Sequence, residues 1–80
     1  MKTTWEKILE YASMPVHGTM SRKLRKGVGL QINEGKVYDA AVLFMGEFVR
    51  ISEEGTEGKN INTYYAWDSI EAIRTYSPKE

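Results

Sequence analysis

The sequence predicts a mainly β fold, in which one N-terminal helix is followed by a five-stranded, strongly bent antiparallel barrel. Residues Glu34–Ile51 carry most of this prediction, because they form two apolar segments that meet at a sharp bend, Met45-Gly46-Glu47. A tight turn at Asn33-Glu34-Gly35 precedes them, and an apolar segment at Ile70–Tyr76 closes the chain. Short strands joined by short connections are typical of small closed or nearly closed barrels.

The size and composition indicate one small domain. All of residues 1–80 are assigned to it, with the helix at about 3–13 and the barrel at about 27–76. The chain has no cysteine, which excludes disulfides and thiolate metal sites. It also lacks an apolar run long enough to span a membrane and the apolar core of a signal peptide. We therefore expect a cytoplasmic protein without membrane contact.

The N-terminal segment is predicted to be helical. Thr3 and Glu6 have the spacing of a capping box. One apolar stripe at helical spacing follows, formed by Trp5, Ile8, Leu9 and Ala12. Pro15 ends the helix near Ala12 or Ser13, because the residue before a proline is disfavoured in the helical region.

Residues 16–27 contain the only dense basic run of the sequence, which consists of Arg22, Lys23, Arg25 and Lys26. The segment favours a loop or a single helical turn, although an extended hairpin arm is an alternative. Residues 1–27 hold six basic and two acidic side chains, or +4, whereas residues 28–80 hold five and nine, or −4. The basic run could contact phosphates. It could equally be a solvated surface, or dock on the acidic 53–57 loop of a neighbouring subunit.

Five strands are predicted after the basic run. Val28–Ile32 alternates apolar residues with glycine and glutamine, and Gly35 is expected to take a positive φ in the turn that follows. The next strand runs to Phe44, with Tyr38 on the same face as Phe44, and its paired alanines are expected where a strand bends hard or another chain passes close. Beyond Gly46 the remaining strands are Phe48–Ile51, Ile61–Trp67 and Ile70–Tyr76, with a polar loop before the last two.

These segments resemble the Sm-like superfamily, which includes the Sm, LSm and bacterial Hfq proteins. Gly27–Gly35 is similar to the first strand and turn of the family, Lys36–Ile51 to the second and third strands without a gap, and Ala66–Ile73 to the second motif. The resemblance covers residues 27–76. It implies an SH3-like barrel of five bent strands after a helix, assembled into a homo-oligomeric ring that binds RNA.

The resemblance also suggests which residues would contact RNA. Phe48 and Trp67 fall in the two loops that face the pore of such a ring, where an aromatic ring can stack on a base. The alternative is that both serve the core or a subunit interface. The family's base-holding Asp and Asn fall on Gly46 and Val49 in this chain. The second hypothesis is therefore an oligomeric scaffold of the same fold without a nucleotide pocket.

The last two strands are the predicted subunit interface. In the family the fourth strand of one subunit pairs with the fifth of the next, and an exposed apolar edge strand is usually covered or paired. The corresponding interface residues here are Tyr64, Tyr65, Ile70, Ile73 and Tyr76.

Catalysis has no support in the sequence. His17 is the only histidine, so one chain cannot form a histidine cluster, and Glu53, Glu54 and Glu57 read as a hydrated loop rather than a metal site. We expect no catalytic residue, metal, cofactor or small-molecule substrate. The partners expected are further copies of the chain and RNA.

Overall fold

The computed structural model describes residues 2–79; Met1 and Glu80, the ends of the predicted domain, lie outside the described residues. Its elements are α1 (Lys2–Tyr11), β1 (Ser13–Pro15), β2 (Ser21–Leu24), β3 (Gly29–Ile32), β4 (Val37–Tyr38), β5 (Val42–Met45), β6 (Phe48–Glu54), β7 (Asn60–Ala66), a 3-10 turn (Trp67–Ser69) and β8 (Ile73–Tyr76). The prediction of a mainly β fold with one N-terminal helix is confirmed.

The strands form two antiparallel sheets. One has five strands in the order β1-β2-β5-β6-β7, and the other has three in the order β4-β3-β8. No strand pairing among the described residues joins them, so the sheets are not closed into the predicted barrel. Both sheets and α1 contribute to a single core, whose largest fully buried side chains include Tyr38, Leu9, Leu30 and Leu43.

Helix α1 forms where it was predicted, with shifted ends. It begins at Lys2, so Thr3 lies inside the helix and is not its N-cap. It ends at Tyr11 because Ser13 already pairs with Leu24 in a sheet, while the Ser13 hydroxyl donates to the Leu9 carbonyl at 2.5 Å. Burying Leu9 anchors the helix to the core. No helix within residues 2–79 is long and apolar enough to cross a membrane.

Residues 13–24 form a β-hairpin, so the prediction of a loop or helical turn for this region was wrong and the hairpin alternative is correct. Strands β1 and β2 pair in the register Ser13↔Leu24 to Pro15↔Arg22. Gly18 takes a φ of +80° in the connection, a conformation that glycine adopts without steric cost. Strand β2 then pairs with β5, which extends the five-stranded sheet by two strands.

The strand predicted at 36–44 is divided into β4 and β5. Ala40 has a φ of 50°, and the chain passes there from the three-stranded to the five-stranded sheet. Tyr38 and Ala41, three residues apart, are both buried. The side-chain alternation therefore shifts across the bend, and the prediction that Tyr38 shares the face of Phe44 was wrong. The predicted bend at 45–47 is confirmed as the turn of the β5–β6 hairpin.

The β3–β4 turn is tied to the start of the last strand. Asn33, with φ 57°, takes the left-handed conformation that was expected of Gly35. Its side-chain oxygen accepts from the N–H groups of residues 71 and 72 at 2.7 and 3.2 Å, and its amide donates to the carbonyl of residue 69 at 3.1 Å. These bonds hold residues 70–72 as a loop after the 3-10 turn, so β8 begins three residues later than the predicted strand.

Candidate nucleic-acid interface

An aromatic cluster covers part of the outer face of the five-stranded sheet. The register places Phe44, Arg50 and Tyr64 side by side on β5, β6 and β7. Phe48 precedes Arg50 by two residues on β6, and its ring centroid lies 6.1 Å from that of Phe44 and 5.5 Å from that of Tyr64. We call these four residues the aromatic platform.

Strand alternation turns the aromatic platform away from the core. On β6, Val49 and Ile51 are fully buried, so Phe48 and Arg50 lie on the opposite face. Phe48 is 39% exposed and Tyr64 is 58% exposed. Neighbouring aromatic rings on a solvent-facing sheet surface give a set of flat faces on which bases or apolar groups can pack.

Arg50 is the charged member of the aromatic platform. Its Cζ lies 5.2 Å from the centroid of the Phe44 ring, within range of a cation–π interaction. Its Nε is buried and has no hydrogen-bond partner. Between residues 2 and 79 the one ion pair is Lys36–Glu53, so no carboxylate neutralises Arg50. A partly desolvated guanidinium without a counter-ion is a favourable partner for a phosphate or carboxylate oxygen.

Gly46 supports one edge of the aromatic platform. A Cβ at this position would lie 3.1 Å from Cε2 of Phe44, tighter than nine in ten real Cβ contacts. The Gly46 N–H donates to the Phe48 carbonyl at 3.0 Å and closes the β5–β6 turn. Because Gly46 has no side chain, the Phe44 ring can lie over the turn.

Lys23 lies next to the aromatic platform on the same sheet. It pairs with Val42 across β2 and β5, and Val42 is two residues from Phe44 on the same side of the sheet. Lys23 is exposed. The register therefore places a second basic residue on the same sheet face as Arg50, two strands away.

The predicted basic run is divided between two roles. Arg22 donates from Nε to the Ser13 hydroxyl at 2.9 Å, and from Nη2 to the carbonyls of Glu10 and Ser13 at 3.1 and 3.2 Å. Arg25 Nε donates to the Tyr11 carbonyl at 3.0 Å. Both guanidinium groups therefore satisfy carbonyls where α1 ends, which also complements the helix dipole. Lys23 and Lys26, by contrast, are exposed.

Trp67 does not lie on the aromatic platform. It is 9% exposed and belongs to the hydrophobic core. Its indole Nε1 donates to the Gly46 carbonyl at 2.8 Å. Trp67 therefore has the core position, which was one of the two roles that the sequence left open. It lies beneath the turn between Phe44 and Phe48.

The five predicted interface residues do not form one surface. Ile70 is buried and Ile73 is half-buried against the core. Tyr65 is half-buried, and its hydroxyl lies 2.7 Å from that of Tyr38. Of the five, only Tyr64, on the aromatic platform, and Tyr76, on the other sheet, are exposed.

Two side chains outside the aromatic platform have perturbed pKa values. Burial raises the pKa of Tyr65, and its hydrogen bond with Tyr38 raises it further. The hydrogen bond from Lys36 to Glu53, 2.8 Å long, raises the pKa of that lysine. Both shifts have structural causes, and no group of three or more potential metal ligands occurs among the described residues.

Phe44 and Arg50 were not identified from the sequence. The sequence nevertheless contains a pattern that could have identified them. Phe44 and Phe48 are equally distant from Gly46 in a tight hairpin, and Arg50 follows Phe48 with strand spacing. Finding it required the cross-strand register, which sequence alternation does not supply.

Comparisons of the chain with protein-family models, with curated proteins and with solved structures found no match. The resemblance to the Sm-like superfamily therefore remains a prediction. Function has to be inferred from the chemistry of the chain's own surface.

Proposed function

We propose that this chain is a single-stranded RNA-binding module of the Sm-like type, and that RNA binds on the aromatic platform. The observation that carries the proposal is Arg50, which forms no ion pair with a described residue. It shares one sheet face with the half-buried Phe44 ring and the exposed rings of Phe48 and Tyr64. Bases can stack on Phe48 and Tyr64, while the Arg50 guanidinium takes a phosphate between them.

Single strands fit this surface better than a duplex. Unpaired bases present the π faces that stack on aromatic side chains, whereas the bases of a duplex are already stacked on each other. Stacking on an aromatic side chain contributes about 1–3 kcal/mol per base and tolerates different base identities. We therefore expect weak sequence preference.

The modest charge of the protein limits the electrostatic contribution. Arg50 on the aromatic platform and Lys23 on the same sheet face form no ion pair with any described residue. Two phosphate contacts on a single strand give a slope of roughly −1.4 for log K against log salt. The overall pI near 6.6 agrees with binding in which stacking outweighs charge.

Fluorescence anisotropy with labelled U-rich and A-rich oligonucleotides tests this proposal. We expect Phe48→Ala to weaken binding about tenfold without changing the salt slope, because it removes stacking alone. Arg50→Gln should weaken binding and reduce the slope by about 0.7, because it removes a phosphate contact. Tyr11→Ala, an exposed aromatic on α1, is the matched control and should bind as the wild type.

Three outcomes would contradict the RNA proposal. They are the absence of binding at low salt with millimolar protein, binding that is unchanged in Phe48→Ala and Arg50→Gln, or equal losses in Tyr11→Ala. Circular dichroism of each variant separates these outcomes from unfolding.

A second function, an oligomeric scaffold or ring, is supported by the sheet edges. Strand β7 has seven residues and pairs only with β6, while β8 pairs only with β3. Both strands thus have an unpaired edge within the described chain, and Ile61 and Tyr64 on β7 are exposed. Pairing of β7 with β8 of a second copy would cover both edges. Light scattering that shows a plain monomer at micromolar concentration would exclude it.

A further inference from the structure

A groove lies where the β1–β2 hairpin faces the three-stranded sheet. It forms because the chain leaves β4 at Ala40 to enter β5, and no strand within residues 2–79 bridges the hairpin to β4. Its volume is about 850 Å³. Sites for small ligands typically have about 300–1,000 Å³, so the groove is large enough for one.

The floor and walls of the groove are largely apolar. Met14, Val16, Val28 and Val37 line it, and Leu24 lies at its base. Met14 is 51% exposed and Val37 is 47% exposed, so both lose contact with water if a chain enters the groove. An unbranched methionine adapts its shape to what it packs against, which suits a flexible apolar ligand.

The rim of the groove is cationic. Lys23 and Lys26 lie on it, are exposed, and form no ion pair with any described residue. Arg25 also lines the groove, with its Nε engaged by the Tyr11 carbonyl. Asp39 is the single acidic residue in the lining, so positive charge exceeds negative charge there.

We infer that this groove binds an anionic amphiphile with a single alkyl chain, the chain lying over Met14, Val28 and Val37 and the acidic head between Lys23 and Lys26. The inference does not depend on RNA binding. Apolar walls with a cationic rim select for both parts of such a molecule, because a neutral chain leaves the lysines without partners and a phosphate alone leaves the apolar surface in water. An added peptide strand is disfavoured because β4, the neighbouring edge, has only two residues.

Titration of the 15N-labelled protein with dodecanoate below its aggregation concentration tests this inference. We expect chemical-shift changes confined to residues that line the groove. Affinity should rise roughly fivefold to fifteenfold from octanoate to decanoate and again to dodecanoate, because each step buries two methylenes. Dodecyltrimethylammonium, with a chain of the same length and a cationic head, should bind at least tenfold more weakly.

Variants of surface residues test which side chains contact the alkyl chain of the ligand and which contact its acidic head. Val37→Asn, at an exposed position, should weaken dodecanoate binding and flatten the dependence on chain length. The double variant Lys23→Gln, Lys26→Gln should weaken it about fivefold and bring the anionic and cationic amphiphiles closer in affinity. Lys59→Gln, a lysine on the β6–β7 loop, is the matched control. Phe48→Ala should bind dodecanoate as the wild type does, whatever its effect on RNA.

Several results would overturn the inference. They are the absence of shifts at the groove, shifts centred on the aromatic platform, equal affinity for the anionic and cationic amphiphiles, and an unchanged affinity in Val37→Asn. Binding to phosphatidylglycerol vesicles without binding to monomeric dodecanoate would also overturn it, because the protein would then recognise a membrane surface rather than one chain in a groove.

Discussion

Arg22 and Lys23 are neighbours in sequence, but they differ in what they contact. The Arg22 guanidinium donates three hydrogen bonds to the junction of α1 and β1, whereas Lys23 is exposed and makes no ion pair with a described residue. A sequence-based grouping of the basic run cannot separate these roles. We therefore expect substitution of Arg22 to affect stability rather than binding, and substitution of Lys23 to affect binding rather than stability.

We expect Arg22→Ala to lower the free energy of unfolding by about 2 kcal/mol, because it leaves half-buried acceptors at the end of α1 without their charged donor. Lys23→Ala should change it by less than about 0.5 kcal/mol. Urea denaturation followed by circular dichroism measures both. A smaller loss in Arg22→Ala than in Lys23→Ala would show that the three hydrogen bonds do not stabilise the junction.

The Tyr38–Tyr65 pair makes stability depend on pH at the alkaline end. The pKa of Tyr65 is raised above its ordinary value near 10, so the folded state favours the neutral phenol. Its contribution to stability is present below about pH 10 and is lost as the pH rises through the higher folded-state pKa. Tyrosinate absorbance during an alkaline titration should show Tyr65 ionising later than an ordinary phenol.

Tyr65→Phe tests the same pair at neutral pH. It leaves the hydroxyl of buried Tyr38 without its partner and should cost about 1–2 kcal/mol. Tyr64→Phe, one residue away on the exposed face, is the control and should be nearly neutral. The late-ionising tyrosine should disappear only in Tyr65→Phe; its loss in Tyr64→Phe would contradict the assignment.

At the scale of elements, Asn33 connects the β3–β4 turn to the start of β8. Two properties coincide there, the left-handed backbone and three side-chain hydrogen bonds. Asn33→Gly keeps the left-handed backbone and loses the side-chain hydrogen bonds, whereas Asn33→Ala loses the favourable left-handed backbone as well as the hydrogen bonds. We expect Asn33→Ala to cost about 1 kcal/mol more than Asn33→Gly, because alanine is strained at positive φ. Equal losses in thermal unfolding would show that the backbone conformation contributes little.

The edges of the sheets determine what hydrogen exchange should show. Alternate amides of β7 point away from β6 and have no partner within the described chain. In a monomer they should exchange rapidly, while those of central β6 stay protected. If copies pair along these edges, protection of the outward amides should rise with protein concentration. Rapid exchange at every concentration would rule out pairing through β7.

For the whole molecule, the sequence predicted the class of the fold but not its assembly from strands. Periodicity located α1 and the β5–β6 hairpin, because each is specified by local contacts. It left the β1–β2 hairpin as an alternative to a loop or helical turn, because β2 pairs with β5, about twenty residues away in sequence. It associated the alanines with a bend but did not predict that the strand divides between two sheets at Ala40, since a single residue with positive φ leaves no period in the sequence.

The candidate site shows the same limit. Phe48 and Lys23 were identified from the sequence, but Trp67 lies in the core and Arg22 at the end of α1. An aromatic residue in a predicted loop does not reveal which way its ring turns. Cross-strand register decides that Phe44 and Tyr64, rather than Trp67, accompany Phe48.

The burial of Trp67 provides an optical probe of the surface above it. Its indole N–H donates a hydrogen bond to the Gly46 carbonyl, in the turn that the Phe44 ring contacts. Emission from this indole should be blue-shifted in the folded protein, and it should respond when a ligand on the aromatic platform moves the turn. The chain has only one other tryptophan, Trp5, so Trp5→Phe would leave a single native fluorophore that reports binding without an attached dye.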